Sequence, residues 1–131
     1  RARMYFLDMR TGNVTRLHMA HGSGSDPRGT GFATVFSNTE GSNCSSLGFY
    51  LTAETYSGKH GYSLRMDGLS ATNSNVRPRA VVIHGADYVR DADVAQGRSW
   101  GCLAVSMKQR TAGVDRLKGG CLIFAGRSAV E

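Results

Sequence analysis

The distribution of apolar and polar positions predicts a chain built mainly of short β-strands. Residues 4–8 read Met-Tyr-Phe-Leu-Asp and predict a strand, Thr11-Gly12-Asn13 follows as a turn, and residues 14–19 alternate polar with apolar side chains. Because successive side chains of a strand point to opposite faces, this pattern predicts a β-hairpin. Runs rich in aromatic and β-branched residues predict further strands over residues 32–36, 48–53, 62–66 and 121–124.

Two segments differ from this alternating pattern. Residues 80–84 read Ala-Val-Val-Ile-His, an unbroken apolar run that predicts a strand in the middle of a sheet. Residues 106–117 predict a helix, with Ser106 as the N-cap and Gly119-Gly120 as the stop. The pattern therefore predicts a mainly β fold, a sandwich or small barrel with one or two short helices, in a single domain over residues 1–131.

Composition and charge limit the classes of molecule that the protein is expected to bind. The 131 residues include 17 glycines but only two prolines, which suits many tight turns between short strands. With 16 Lys and Arg against 10 Asp and Glu, the net charge of +6 favours anionic partners. The basic residues form no stripe and are not interleaved with aromatic residues, so we expect no nucleic-acid partner. No apolar run reaches the ~20 residues of a membrane-spanning helix.

The three cysteines, Cys44, Cys102 and Cys121, form no C-x-x-C pair and predict no zinc site. Cys121 opens an apolar run and is predicted to be a buried, inert thiol. Cys44 lies in a Ser/Asn/Gly loop without an evident role. An odd count leaves at least one thiol free, and a Cys44–Cys121 disulfide stays an open alternative.

A candidate nucleophilic site follows the central strand. His84 ends the apolar run, and Ser99-Trp100-Gly101-Cys102 begins after fourteen intervening residues. An imidazole at the end of a rigid strand can take the proton of a thiol on a neighbouring turn, and the thiolate is the reactive species. Gly101 lets backbone N–H groups turn toward a developing oxyanion. A structural histidine and a buried cysteine are the alternative, and composition alone does not exclude them.

The spacing from His84 to Ser99-x-Gly101-Cys102 resembles the catalytic motif of the L,D-transpeptidase (YkuD-like) family. The active-site turn, Gly97-Arg98-Ser99-Trp100-Gly101-Cys102, is similar to that of one murein L,D-transpeptidase branch. Further blocks similar to that branch lie at residues 36–38, 45–50, 58–65 and 84–89. The resemblance extends over roughly residues 4–125.

The resemblance implies a β-sandwich-like catalytic domain that acts on peptidoglycan stem peptides without a metal or organic cofactor. Cys102 would attack the amide between the L-centre of meso-diaminopimelate and the terminal D-Ala, with His84 as the general base. The backbone N–H groups of Trp100, Gly101 and Cys102 would bind the oxyanion, and Ser99 would stabilise the turn. An amine would resolve the thioester in a transpeptidase and water in an L,D-carboxypeptidase; a non-catalytic murein-binding domain is the third reading.

The chain departs from the family pattern near the thiol. Trp100 stands where the family usually has His, Leu103 where this branch usually has Pro, and Ala104 where Arg or Asn is common. The sequence therefore does not identify the residue that binds the substrate carboxylate. Substrate contacts are expected from His60, Tyr62, Arg65, Gly85 and Arg98. The substrate implies a periplasmic or cell-wall-facing protein, exported by a signal segment that does not precede Arg1 here. The sequence does not specify the acceptor, the cross-link type or the oligomeric state.

Overall fold

The structure, a computed structural model, describes residues 1–127 and contains two β-sheets. Strands β1 (Met4–Leu7) and β2 (Val14–Leu17) form the first sheet. The second sheet has five strands in the order β6-β5-β4-β3-β7. These strands are β3 (Gly48–Gly58), β4 (Gly61–Gly68), β5 (Val82–Ala86), β6 (Leu103–Ser106) and β7 (Leu122–Ala125). Helix α1 (Arg110–Leu117) packs against β4 and β5.

The predicted mainly β class with few short helices is confirmed, as α1 is the only α-helix of residues 1–127. The first predicted hairpin is present, with Met4 paired to Leu17 in antiparallel register. Strands β3 and β4 extend beyond the predicted segments and meet at a two-residue turn, Lys59-His60. Strand β5 lies between β4 and β6, as predicted for an apolar run with neighbours on both sides.

Two expectations about secondary structure are wrong, and one strand was not predicted. Residues 32–36 form no strand, because the Thr34 and Val35 N–H groups donate to the carbonyl of Ser25 and not to a sheet. Strand β6 was not expected, and its parallel pairing with β5 includes Ser106, the predicted N-cap. The helix therefore begins later than predicted, at Arg110, although the Ser106 hydroxyl still accepts a hydrogen bond from the Gln109 N–H at 3.2 Å.

The two faces of the large sheet differ in what they bury. One face carries Leu64, Ile83 and Leu103, which pack with Val114 of α1 and Phe6 of β1 in the main core. The opposite face carries a smaller apolar cluster of Ala20, Ala86, Val89 and Ala104. His84 and Cys102 lie on this second face, so the larger core supports the site from behind. The single helix of residues 1–127 is too short to cross a membrane.

The cysteines correct a further prediction. All three thiols are free, so the Cys44–Cys121 disulfide is not formed in the structure. Cys121 was expected to be buried but is partly exposed, because it precedes the edge strand β7, whose alternate side chains face outward. Cys44, which sequence reasoning left without a role, is the buried one.

Candidate active site

The pairing of β5 with β6 brings His84 and Cys102 together. His84 pairs with Ala104, two residues after Cys102, and side chains two apart along an extended chain share a face. The Val82 N–H donates to the Cys102 sulfur at 3.4 Å, and the thiol faces the Ala80 carbonyl oxygen at 3.6 Å. The predicted base and nucleophile therefore lie on one face of neighbouring segments.

The His84 ring is oriented by a backbone carbonyl. Its Nδ1 lies 2.9 Å from the Gly85 carbonyl oxygen, and its side chain is only 2% exposed. Because a carbonyl can only accept, Nδ1 carries a proton, and in the neutral ring Nε2 then keeps its lone pair. Burial lowers the pKa of His84, which the Gly85 hydrogen bond partly offsets and the neighbouring His60 reinforces. The imidazole is thus a neutral base with Nε2 available.

The surroundings of the Cys102 thiol favour its protonated form. Burial raises the pKa of this thiol, while the Val82 N–H and the positive charge of Arg79 act in the opposite direction. The Ala80 carbonyl, which faces the sulfur, belongs to a residue with a φ of 53°, a strained backbone conformation for alanine. Within residues 1–127 no hydrogen bond joins the sulfur to His84. Proton transfer therefore requires the sulfur and the imidazole to approach each other, as in many unliganded sites.

The turn before the nucleophile is held by the Ser99 hydroxyl. This hydroxyl is buried, donates to the Cys102 carbonyl at 2.7 Å and accepts from the Gly101 N–H at 3.2 Å. Gly101 has a φ of +115°, and a Cβ at this position would lie 2.7 Å from the Cys44 carbonyl oxygen. Only glycine fits here, because both the backbone conformation and the contact exclude a side chain.

The turn between β3 and β4 covers the site. The exposed His60 ring stacks on His84, with the centroids 4.3 Å apart and an interplanar angle of 18°. The Lys59 ammonium lies 5.9 Å from the centre of the Trp100 ring, which is 74% exposed. The structure thus brings His60 next to the predicted base and leaves the Trp100 indole at the rim.

Two of the predicted substrate-contact residues face the other side of the sheet. The Tyr62 hydroxyl donates to Asp115 of α1 at 2.6 Å, and its ring packs against the main core. A Cβ at Gly85 would lie 2.9 Å from the side chain of Arg110, so this glycine permits close packing near the start of α1. Gly85 serves the site through its carbonyl, which orients His84.

The two predicted arginines have different surroundings. Arg98 donates to the Asp26 carbonyl at 2.6 Å and is engaged by the loop near Gly29. Arg65 lies on the thiol's face of β4, where its guanidinium stacks on the Tyr56 ring at 3.9 Å. Of the two, Arg65 is the one whose hydrogen-bond donors have no acceptor within residues 1–127.

Sequence reasoning missed Arg79, the cation that acts on the thiol. Its guanidinium donates to the carbonyls and hydroxyls of a preceding loop, Ser37, Ser42, Cys44 and Ser46, at 2.8–3.3 Å. These partners lie 33 to 42 positions earlier in the chain, so no local pattern indicates them. Arg79 binds no carboxylate within residues 1–127, and its charge therefore stays uncompensated beside the turn.

Tyr88 was also missed as part of the site. It follows β5, and its carbonyl accepts a hydrogen bond from the Gly97 N–H at 2.9 Å. Burial raises the pKa of its hydroxyl, and the nearby Cys102 adds to that rise. A Cβ at Gly97 would lie 2.7 Å from the Tyr88 ring, so glycine lets the active-site turn approach this side chain.

Comparison with known proteins gives one family. A family model described as the L,D-transpeptidase catalytic domain matches residues 1–125. Neither a curated protein nor a solved structure matches the chain. The matched range includes every residue of the site described above.

Proposed function

The chain belongs to the L,D-transpeptidase catalytic domain family, and on that premise we propose that it is a cysteine acyltransferase of peptidoglycan stem peptides. The family supports an enzyme of the L,D-transpeptidase type with a peptidoglycan substrate. The observation that carries the specific proposal is the shared face of His84 and Cys102, with Nδ1 of His84 bonded to Gly85 and Nε2 left available. This arrangement suits a neutral thiol that loses its proton as it attacks.

In the first half-reaction, His84 Nε2 takes the Cys102 proton while the sulfur attacks the carbonyl carbon of the diaminopimelate L-centre. The Trp100 and Cys102 N–H groups are the proposed donors to the oxyanion, since the Gly101 N–H is already bonded to Ser99. The carbon–nitrogen bond then breaks, and the imidazolium gives its proton to the departing amine of D-Ala. A thioester remains on Cys102.

In the second half-reaction, an amine of another stem peptide attacks the thioester carbonyl and loses a proton to His84. The carbon–sulfur bond breaks, and the sulfur recovers a proton from the imidazolium. The new amide is the cross-link. Water in place of the amine would give the carboxypeptidase reaction and release a tripeptide, which makes it an outcome of the test below.

The test is incubation of the protein with a defined disaccharide-tetrapeptide, followed by mass spectrometry of the products. Cys102→Ala removes the nucleophile, and Cys121→Ala is the matched control because it deletes another partly exposed thiol outside the site. We expect cross-linked dimers and free D-Ala from the wild type and the control, and neither from Cys102→Ala. Tripeptide alone would assign a carboxypeptidase. The same products from all three proteins would refute catalysis by Cys102, and no product from any of them would favour murein binding.

A peptidoglycan substrate also bears on where the protein works. Because peptidoglycan lies outside the cytoplasmic membrane, we propose a periplasmic or cell-wall-facing location. The net charge of +6 suits encounter with an anionic wall polymer. Fractionation of cells that produce the tagged natural protein tests this, and recovery with the cytoplasmic fraction alone would contradict it.

A further inference from the structure

Arg65 lies on the same face of the sheet as the nucleophile. Arg65 of β4 pairs with Val82 of β5, and the Val82 N–H holds the sulfur of Cys102. Paired residues of adjacent strands share a face, and adjacent strands lie about 4.8 Å apart. Two strand spacings, about 10 Å, therefore separate β4 from the segment that carries Cys102.

The Arg65 guanidinium is fixed but carries no polar partner. It stacks on Tyr56 at 3.9 Å, and within residues 1–127 it makes no hydrogen bond or ion pair. The neighbouring Arg77 differs, because it binds both Glu54 and Asp67. A half-buried, pre-positioned guanidinium with its donors unused is suited to a planar anion such as a carboxylate.

Arg65 lines a small cavity. This cavity has a volume of about 60 Å³ and is lined by side chains of β3 and β4 and by the segment that binds the thiol, including Tyr56, Arg65, Arg77, Ala80 and Val82. A single water needs roughly 10–15 Å³ measured in this way, so a carboxylate group fits. The cavity thus joins Arg65 to the segment that contacts Cys102.

The two acidic groups nearby are paired with another arginine. Glu54 and Asp67 both bind Arg77, and the hydrogen bond from Arg77 is the main cause that lowers the pKa of each carboxyl. Arg65 adds only a minor effect on Glu54. The charge of Arg65 therefore stays available to a ligand that enters the cavity.

We propose that Arg65, supported by Tyr56, forms a subsite for a carboxylate of the donor stem peptide, an inference that rests on the proposed function. The position two residues after the nucleophile is Ala104, which has no polar side chain to bind a carboxylate. The terminal D-Ala carboxylate is too close to the scissile bond to reach across two strands. The carboxylate at the far end of the diaminopimelate side chain has the necessary reach.

The experiment compares two tetrapeptide donors, one with this carboxylate free and one with it amidated. D-Ala release gives KM and kcat for the wild type, Arg65→Met, Arg65→Lys and Arg16→Met. Methionine keeps a long apolar side chain over Tyr56 without the charge, and Arg16→Met removes an exposed charge from β2. We expect the wild type and Arg16→Met to prefer the free donor at least tenfold in KM. Arg65→Met should lose this preference with kcat little changed, and Arg65→Lys should keep part of it. An unchanged preference in Arg65→Met would overturn the subsite.

A binding measurement separates this proposal from the proposed function. Calorimetry with Cys102→Ala protein, with and without Arg65→Met, measures the affinity for each peptide when turnover is blocked. Tighter binding of the free-carboxylate peptide that disappears with Arg65→Met supports the subsite even if the wild type proves inactive. Equal affinity for the two peptides, or no binding of either, contradicts the subsite even if the wild type cross-links stem peptides.

Discussion

Replacement of Ser99 by Ala tests whether the turn before Cys102 is a positioning device. The Ser99 side chain is 4% exposed, and its hydroxyl joins the Cys102 carbonyl at 2.7 Å to the Gly101 N–H at 3.2 Å. Alanine leaves these two backbone groups without their partner inside the turn. The change removes no group that takes part in bond making or breaking in the proposed mechanism.

The structure sets the expected magnitudes. A buried polar group that loses its partner costs about 1–3 kcal/mol, and the Gly101 N–H and the Cys102 carbonyl share one lost hydroxyl. We therefore expect the free energy of unfolding to fall by about 1–3 kcal/mol. Loosening of the turn displaces the nucleophile and the oxyanion donors, and a displacement of about 1 Å can cost about 10²-fold in rate. We accordingly expect kcat/KM to fall about 10²-fold in a protein that remains folded.

The assay pairs urea unfolding with the rate of D-Ala release. Ser106→Ala is the matched control, because the Ser106 hydroxyl is also buried, at 5% exposure, and also makes two hydrogen bonds, one to Asp91 and one from the Gln109 N–H. Both variants should lose similar stability, but only Ser99→Ala should lose most of its activity. Equal activity losses in the two variants, or a Ser99→Ala enzyme within threefold of the wild type, would refute a specific role of this turn.

Three further perturbations test the rest of the site. Arg79→Gln should raise the pH midpoint of Cys102 alkylation by iodoacetamide, since the positive charge of Arg79 opposes the burial that raises the pKa of this thiol. Arg79→Lys should restore part of the shift. Identical alkylation profiles by peptide mapping would contradict an effect of Arg79 on the thiol. The acid limb of kcat/KM should lie below the pH at which an ordinary histidine is protonated, because burial lowers the pKa of His84 and activity is lost only when Nε2 becomes protonated. His84→Ala should lower kcat about 10²–10⁴-fold and abolish that limb. An unchanged limb would exclude His84 as the base. Gly101→Ala should give a folded protein with at least about 10²-fold lower activity, because the new methyl group would lie 2.7 Å from the Cys44 carbonyl oxygen. Circular dichroism checks the fold, and D-Ala release checks the activity. Near-normal turnover would show that the turn tolerates a side chain.

Local patterns in the sequence account for most of the strands. The hairpin of β1 and β2 was predictable because alternation and a Thr-Gly-Asn turn lie within one short segment. Strand β6 was not, since three apolar residues and a serine between a turn and a helical pattern carry no periodicity of their own. Its existence depends on parallel pairing with β5, a contact that a local pattern does not encode.

Only part of the candidate site could likewise be predicted from the sequence. The spacing of His84 and Cys102 could be recognised in the sequence, and the β5–β6 register places both on one face. The group that orients His84 is the Gly85 carbonyl, and every residue has such a group, so no residue type marks it. Arg79 could not be singled out among 16 basic residues, because its role arises from a loop more than 30 positions away.

The most direct measurement of the central claim is the mass of the protein itself during turnover. The wild type is mixed with the disaccharide-tetrapeptide without an acceptor, quenched in acid, and examined by intact mass and peptide mapping. The mechanism predicts an adduct equal to the donor minus D-Ala, located on Cys102, sensitive to hydroxylamine and absent from Cys102→Ala. Accumulation of D-Ala without any adduct on Cys102, or an adduct on Cys44 or Cys121 instead, would contradict it.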